Sequence, residues 1–310
     1  MYTFKNLTKF FSIALFSIFI SFSSAFSQKT LTKISILQVI EHPALNATRD
    51  GFLDELKKLG YEEGKNLEID YQSAQGNAAL AAQIAQKFTS HESNIIVANG
   101  TKAAQAAMTA AKGTKTPVVF SSVTDPLGAK LVTSLKAPDG YVTGVSNFLG
   151  VEPQFKLFTR ILPELKTLGV IYDPGEANSV SLNKAMEITA KKFDLKLVFA
   201  VATKTSEVLA ASQSLCGRVD ALFVNNDNTA LGAFSSVVKA AKACDIPAFV
   251  SDVDMADQGA SAAIGPNQTE LGRQTARMVD VILKNPGAPL PSVEFPQKTE
   301  EYVKAHTNNQ

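Results

Sequence analysis

Short, nearly continuous apolar runs recur along the chain. Each ends in a polar cluster and is followed by residues at helical spacing. Ile34–Ile40, Asn94–Ala98, Pro117–Phe120, Leu168–Tyr172, Ala221–Val224 and Ala248–Val250 are such runs. They are too short and too uniformly apolar for an antiparallel meander, whose strands alternate between core and solvent. Strands buried on both faces and alternating with helices predict parallel sheets. The rhythm runs to about Tyr141–Asn147 and then restarts, so the expected fold class is α/β: two doubly wound parallel-sheet lobes joined by a hinge. With 310 residues, the chain suits two domains better than one.

In such sheets ligands bind outside the carboxyl ends of the strands. The stretch Ser121-Ser-Val-Thr-Asp-Pro126 occupies that position after the fourth strand, and Leu127–Leu135 after it has a helical pattern. A second cluster, Tyr172-Asp-Pro-Gly-Glu-Ala-Asn-Ser179, lies about fifty residues on. The working expectation is that these two edges face each other. The first lobe then offers Glu41, Asn99, Gly100, Thr101, Ser121, Ser122, Thr124 and Asp125. The second offers Asp173, Glu176, Asn178, Ser179, Asn225, Asp227, Asn228, Thr229 and Asp252. Helix N-termini beside them supply N–H donors for a carboxylate, and the acids can hold an ammonium group. Phe120, Phe148 and Tyr172 are candidates for an apolar wall. Each polar residue also has a purely local reading as a helix N-cap, so the signal is the recurrence of polar ends on six strands. Asp125 is the residue expected to hold a charged ligand group. The inventory fits a small zwitterionic or polar organic ligand.

Composition narrows the partners. At 45% apolar and 19% charged, with a formal charge of +1, the chain has no basic block to attract nucleic acid. Lys5 and Lys9, the apolar run Phe10–Phe22 and the small residues Ala25 and Ser27 have the form of a secretory signal peptide. The run is shorter than the roughly 20 residues that a membrane span needs. Cleavage near Ser27 would release an exported, periplasmic product with a formal charge of −1. Cys216 and Cys244 are the only cysteines. Export permits a disulfide, and a disulfide and two separate thiols both remain open. The cysteines and His42, His91 and His306 lack metal-ligand spacing, so no metal or cofactor is expected. There is no nucleophile elbow, phosphate loop or dinucleotide fingerprint, and His42 reads as a solvated loop residue.

These residues resemble a known family. Gly51-Phe52, Leu59-Gly-Tyr61, Gly64-Lys-Asn-Leu67, Ser122-Val-Thr-Asp-Pro126, Thr143-Gly-Val-Ser146, Tyr172–Ser179, Asp227-Asn-Thr229 and Leu271-Gly272 are similar in order and spacing to ABC-transporter substrate-binding proteins of the tryptophan/tyrosine type. The resemblance spans about Lys33 to Phe295. It implies a type I periplasmic binding-protein fold, with residues 28–145 plus 266–310 in an N-terminal lobe and 146–265 in a C-terminal lobe. Three crossovers are expected, near Thr143–Asn147, Gly265–Gln268 and Pro289–Ser292. It also implies a monomer that takes an amino-acid-like ligand, aromatic by analogy with that type, and serves a membrane permease. Carried over position by position, Ser122, Thr124 and Asp125 would bind from the first lobe, and Glu176, Asn178, Ser179, Asp227, Asn228 and Asp252 from the second. Glu41, Gly100, Thr101, Phe148 and Tyr172 complete the expected site. The loop Glu41-His-Pro-Ala is where family members vary, which leaves the ligand open. A sensor subunit for a membrane receptor and an exported hydrolase stand as alternatives.

Overall fold

Apolar side chains on every second strand position go to one face of a sheet and the intervening ones to the other, so each sheet needs two helical layers. The computed structural model describes residues 31–138 and 140–305; the expected signal peptide and His306 lie outside them. The first sheet has the order β2-β1-β3-β4-β5, all parallel, from strands Thr32–Gln38 (β1), Leu67–Ser73 (β2), Ile95–Asn99 (β3), Val118–Val123 (β4) and Val142–Ser146 (β5). Helices Pro43–Lys58 (α1), Ala78–Ser90 (α2) and Thr101–Ala111 (α3) connect them. Ile34, Ile36 and Val97 pack under α1, while Leu37, Ala98 and Phe120 pack under α2 and α3.

The second sheet has the order β11-β10-β9-β8-β6-β7, from Thr167–Tyr172 (β6), Lys196–Val201 (β7), Ala221–Val224 (β8), Ala248–Val250 (β9), Ala262–Pro266 (β10) and Thr299–Val303 (β11). Its strands are parallel except β11, which runs antiparallel to β10. Helices Glu152–Ile161 (α4) and Ala177–Ala190 (α5) cover one face, where Phe158 stacks on Phe249 with ring centroids 4.3 Å apart. Val208–Gln213 (α6), Asn228–Leu231 (α7) and Phe234–Ala243 (α8) cover the other. Cys216 and Cys244 form a disulfide there, with their Cα atoms 5.6 Å apart.

Gln268–Lys284 (α9) returns to the first sheet and crosses α1 closely. A Cβ on Gly272 would collide with the Thr48 carbonyl, and one on Gly51 with that of Thr269. The family resemblance at Gly51 and Gly272 therefore has a packing cause.

The fold differs from the sequence expectation in four places. First, helical spacing of the apolar residues at 52, 53, 56 and 59 predicts a helix from Arg49, but α1 begins six residues earlier at Pro43, because His42 caps it and proline suits the first helical turn. Second, Leu127–Leu135 forms turns and no helix. Asp125 Oδ1 accepts the Gly128 N–H at 2.8 Å, and Lys130 sits at φ 58°, which ends the turn. Third, the third crossover follows Phe295 and does not lie at Pro289–Ser292: Glu294 still bonds Gly144 and Ser146 on β5 before β11 pairs with β10. Fourth, residues 299–303 consequently sit in the second sheet, although 266–310 were expected in the first lobe.

Candidate binding site

The carboxyl ends of β1 and β4 on one side, and of β6, β8 and β9 on the other, bring side chains from both sheets to one narrow pocket. Its walls include His42, Ala44, Leu45, Ser122, Thr124, Asn147 and Gln268 on the first side, and Asn178, Asn226, Asn228, Leu231 and Asp252 on the second. Its volume is about 10 Å³, room for roughly one water.

Ser122 owes its place to a bulge in β4 between Ser121 and Val123, which leaves it at φ 53°. That left-handed conformation costs a non-glycine residue about 1–2 kcal/mol and turns its hydroxyl towards Thr48 at 3.1 Å and Gln268 Oε1 at 3.2 Å. Gln268 sits just past a crossover and works in both directions. Its Oε1 also accepts from Thr48 Oγ1 at 2.9 Å, while its Nε2 donates to Asp252 Oδ1 on the other sheet. Asp252 is fully buried, and burial raises its carboxyl above the usual range against the opposing hydrogen bonds from Gln268 and Ser251. Thr124 donates to Asn147 Oδ1 at 3.0 Å.

His42 is not solvated. It is 5% exposed and reaches Asn228 Oδ1 on the other sheet through Nε2 at 3.4 Å. Its Nδ1 accepts from the Leu45 N–H, so Nε2 carries the proton. Burial lowers its pKa to about 4, despite the hydrogen bond to Asn228.

Behind the pocket lies a network of buried acids. Glu176 accepts from Asn178 Nδ2 at 2.9 Å, from both nitrogens of Asn228, and from the N–H and hydroxyl of Thr229. Asp227 caps α7 by accepting from the Ala230 N–H at 2.8 Å, and also takes the Asp173 N–H and the Ser179 hydroxyl. Burial, then the neighbouring Glu176, push the Asp227 carboxyl up to about 8. Lys102, on α3 of the first lobe, reaches Asp173 at 2.9 Å and Glu176 at 3.8 Å. Burial works against its charge, but those carboxylates outweigh it and raise its pKa. Asn178 gives both amide hydrogens to Glu176 and the Asn226 carbonyl. Its Oδ1, buried and without a partner, is the one such atom among the described residues that belongs to a pocket-lining side chain.

Of the expected site residues, Ser122, Thr124, Asn178, Asn228 and Asp252 line this pocket, while Glu176, Ser179 and Asp227 support it from behind. The others lie elsewhere. Glu41 accepts from Tyr71 and pairs with Arg49 at 3.6 Å. The Gly100 amide is spent on the Ser121 carbonyl, and Thr101 is buried in the first turn of α3. Tyr172 packs edge-on against Phe199, facing β7. Asp125 and Phe148 line a different groove. Sequence reasoning missed Thr48, Lys102, Asn147, Asn226 and Gln268. The local signal available was the His42-Pro43 pair, which marks a helix start and carries Thr48 onto α1. Among the described residues no group of His, Cys, Asp and Glu could hold a metal ion, and no helix is long and apolar enough to cross a membrane.

The profile of the ABC transporter substrate binding protein family matches residues 33–303. The chain belongs to that family. This binding protein is 35% identical over 256 residues to the tyrosine-binding protein of Clostridioides difficile strain R20291, covering 83% of this chain and 74% of that one. A solved structure from Streptococcus pneumoniae in complex with L-Trp is 29% identical, with a TM-score of 0.85, covering 89% of this chain and 92% of that one. The ligand-free, open structure of a substrate binding protein with adhesive properties from Clostridium difficile is 35% identical but has a TM-score of 0.66, covering 88% and 92%. More distant solved structures share the two-sheet fold. Members of the family are solute-binding proteins and not enzymes, which removes the hydrolase alternative. They are also extracytoplasmic.

Proposed function

We propose that this binding protein captures a free aromatic amino acid between its lobes and delivers it to the membrane permease of an ABC importer. The observation that carries the reading is the convergence of Ser122, Thr124 and Gln268 with Asn178, Asn228 and Asp252 on one pocket from two separate sheets. In this reading Asp252 and the unpaired Asn178 Oδ1 take the ammonium group. The Ser122 and Thr124 hydroxyls take the carboxylate, and the His42 ring, Leu45 and Leu231 flank the side chain. An amino acid is far larger than about 10 Å³, so the lobes must part for entry and close around it. The similarity scores support closure: the relative of higher identity, which is open, fits worse than the L-Trp complex. The ligand acts by its greater affinity for the closed arrangement. The protein is exported after cleavage near Ser27, works in the periplasm and acts as a monomer.

The test is a thermal-shift panel of the common amino acids, followed by calorimetry. Tyrosine or tryptophan is expected to raise the melting temperature most. Asp252→Asn is expected to weaken binding of that ligand about 30-fold or more, the loss of a charge-assisted contact of roughly 2–3 kcal/mol. If no aromatic amino acid shifts the melting point, the ligand assignment is wrong; unchanged affinity in the variant removes Asp252 from the ammonium site.

A further inference from the structure

Asp125, the residue on which the sequence placed most weight, lies outside the amino-acid pocket. Its Oδ1 accepts the Gly128 N–H at 2.8 Å, and its Oδ2 accepts the Ser181 hydroxyl of α5, on the other lobe, at 2.8 Å. Beside this link runs a groove of about 380 Å³, within the size range of small-molecule sites. Its walls come from three sources. Thr124, which also borders the amino-acid pocket, Asp125 and Leu135 follow β4; Leu182 and Ala185 belong to α5; Phe148 and Phe295 belong to the two chain segments that leave the first sheet for the second. Those two segments are tied together, since Glu294 exchanges backbone hydrogen bonds with Gly144 and Ser146. Both rings are unusually open for phenylalanine, at 39% and 41% exposure. Asp125 is the single charged residue of the lining, and most of the rest is apolar.

We propose that this groove, which shares only Thr124 with the amino-acid pocket, is a second ligand site, for a small planar apolar molecule bearing one positive charge, of the aromatic-amine class. The charge complementarity is specific. A carboxylate keeps acceptor capacity beyond two hydrogen bonds, and the two phenylalanine faces favour a flat apolar body. An anionic or neutral molecule lacks the matching charge. The groove has walls from both lobes only while Asp125 meets Ser181, so its occupant binds the closed arrangement. Linkage then requires it to raise affinity for the cleft ligand, and the cleft ligand to raise affinity for it by the same factor. The groove reports on closure from outside the transported-ligand pocket.

The probe is phenethylamine, with 2-phenylethanol as its uncharged counterpart. Direct binding is measured by saturation-transfer NMR on the full exported chain. Phenethylamine is expected to bind at least about tenfold more tightly than 2-phenylethanol, and binding is expected to be lost in Phe295→Ser and weakened in the isosteric Asp125→Asn. Calorimetric titration of the amino acid identified by the thermal-shift panel is then repeated in saturating phenethylamine, with a gain in affinity of about fivefold or more expected. Three results overturn the proposal: no phenethylamine binding, binding that survives Phe295→Ser, or competition with the amino acid, which would place the amine in the cleft. The NMR arm needs no cleft ligand, so failure of the amino-acid assignment leaves this test intact.

Discussion

Both lobes reach the pocket with neutral groups, Ser122, Thr124, Asn147 and Gln268 from the first and Asn178, Asn226 and Asn228 from the second; only the second lobe adds carboxylates, Asp252 in the wall and Asp173, Glu176 and Asp227 behind it. Asp173, Glu176 and Asp227 accept from backbone N–H groups of Gly175, Asn228, Thr229 and Ala230 and from nearby amides, so they hold β6, α5 and α7 in a set geometry before any ligand arrives. The first-lobe hydroxyls hang on a bulge and on a glutamine that itself spans the lobes. The contrast assigns different work to the two sides. Charge on the second lobe is spent mostly on preorganisation, and only Asp252 faces the pocket as an acid. The first lobe supplies adaptable neutral contacts.

The largest effect that could break this comparison is at Glu176. Its side chain holds Asn178, Asn228 and Thr229, so Glu176→Ala leaves buried N–H groups without an acceptor. A loss of about 3–5 kcal/mol in denaturant unfolding is expected. A loss below about 1 kcal/mol would show that the acid network does not organise the second lobe.

A middle-sized effect is a pH dependence with a definite sign. Asp227, at about 8 in the fold, keeps a proton that the unfolded chain has already released. Stability therefore falls as pH rises until that group ionises. His42, lowered to about 4, acts in the opposite sense between about pH 4 and 6.5, where the unfolded chain takes up a proton that the fold refuses. The two slopes oppose each other there. Above pH 6.5 the Asp227 slope stands, helped by Asp254 up to about 7, and stability should fall by about 2 kcal/mol on going to pH 8. Asp227→Asn should flatten the fall in denaturant midpoints measured across that window, whatever it does to the baseline.

The smallest effect concerns Lys102, a cation that pairs across the lobes. Lys102→Met removes the pairing with Asp173 and Glu176 while keeping most of the side-chain volume. Small-angle scattering without ligand is expected to show a larger radius of gyration, and amino-acid affinity is expected to fall about fivefold, roughly 1 kcal/mol of lost bias towards closure. An unchanged scattering profile would leave closure to the ligand alone.

Much of the fold was legible because local pattern encodes local backbone. The strands at Ile95–Asn99, Val118–Val123 and Ala221–Val224 and the helices between them follow from apolar runs and helical spacing. The failures have physical causes of their own. Leu127–Leu135 has helical spacing, but Lys130 in the left-handed region stops it after a turn. Thr299–Val303 has little apolar character and is mostly exposed, so nothing local marks it as an edge strand of the second sheet. Asp125 sits in the expected motif, yet its carboxylate turns to Gly128 and Ser181 and away from the pocket.

The sequence alone determined that polar residues would gather at the carboxyl ends of parallel strands in two lobes, because strand period and helix spacing are written in neighbouring residues. Which of those polar ends would meet was decided only by the tertiary structure. His42 reaches Asn228 across 186 positions and Gln268 joins Ser122 to Asp252. Contacts of that range depend on how two separately packed sheets are set against each other by their crossovers, and no local pattern carries that angle.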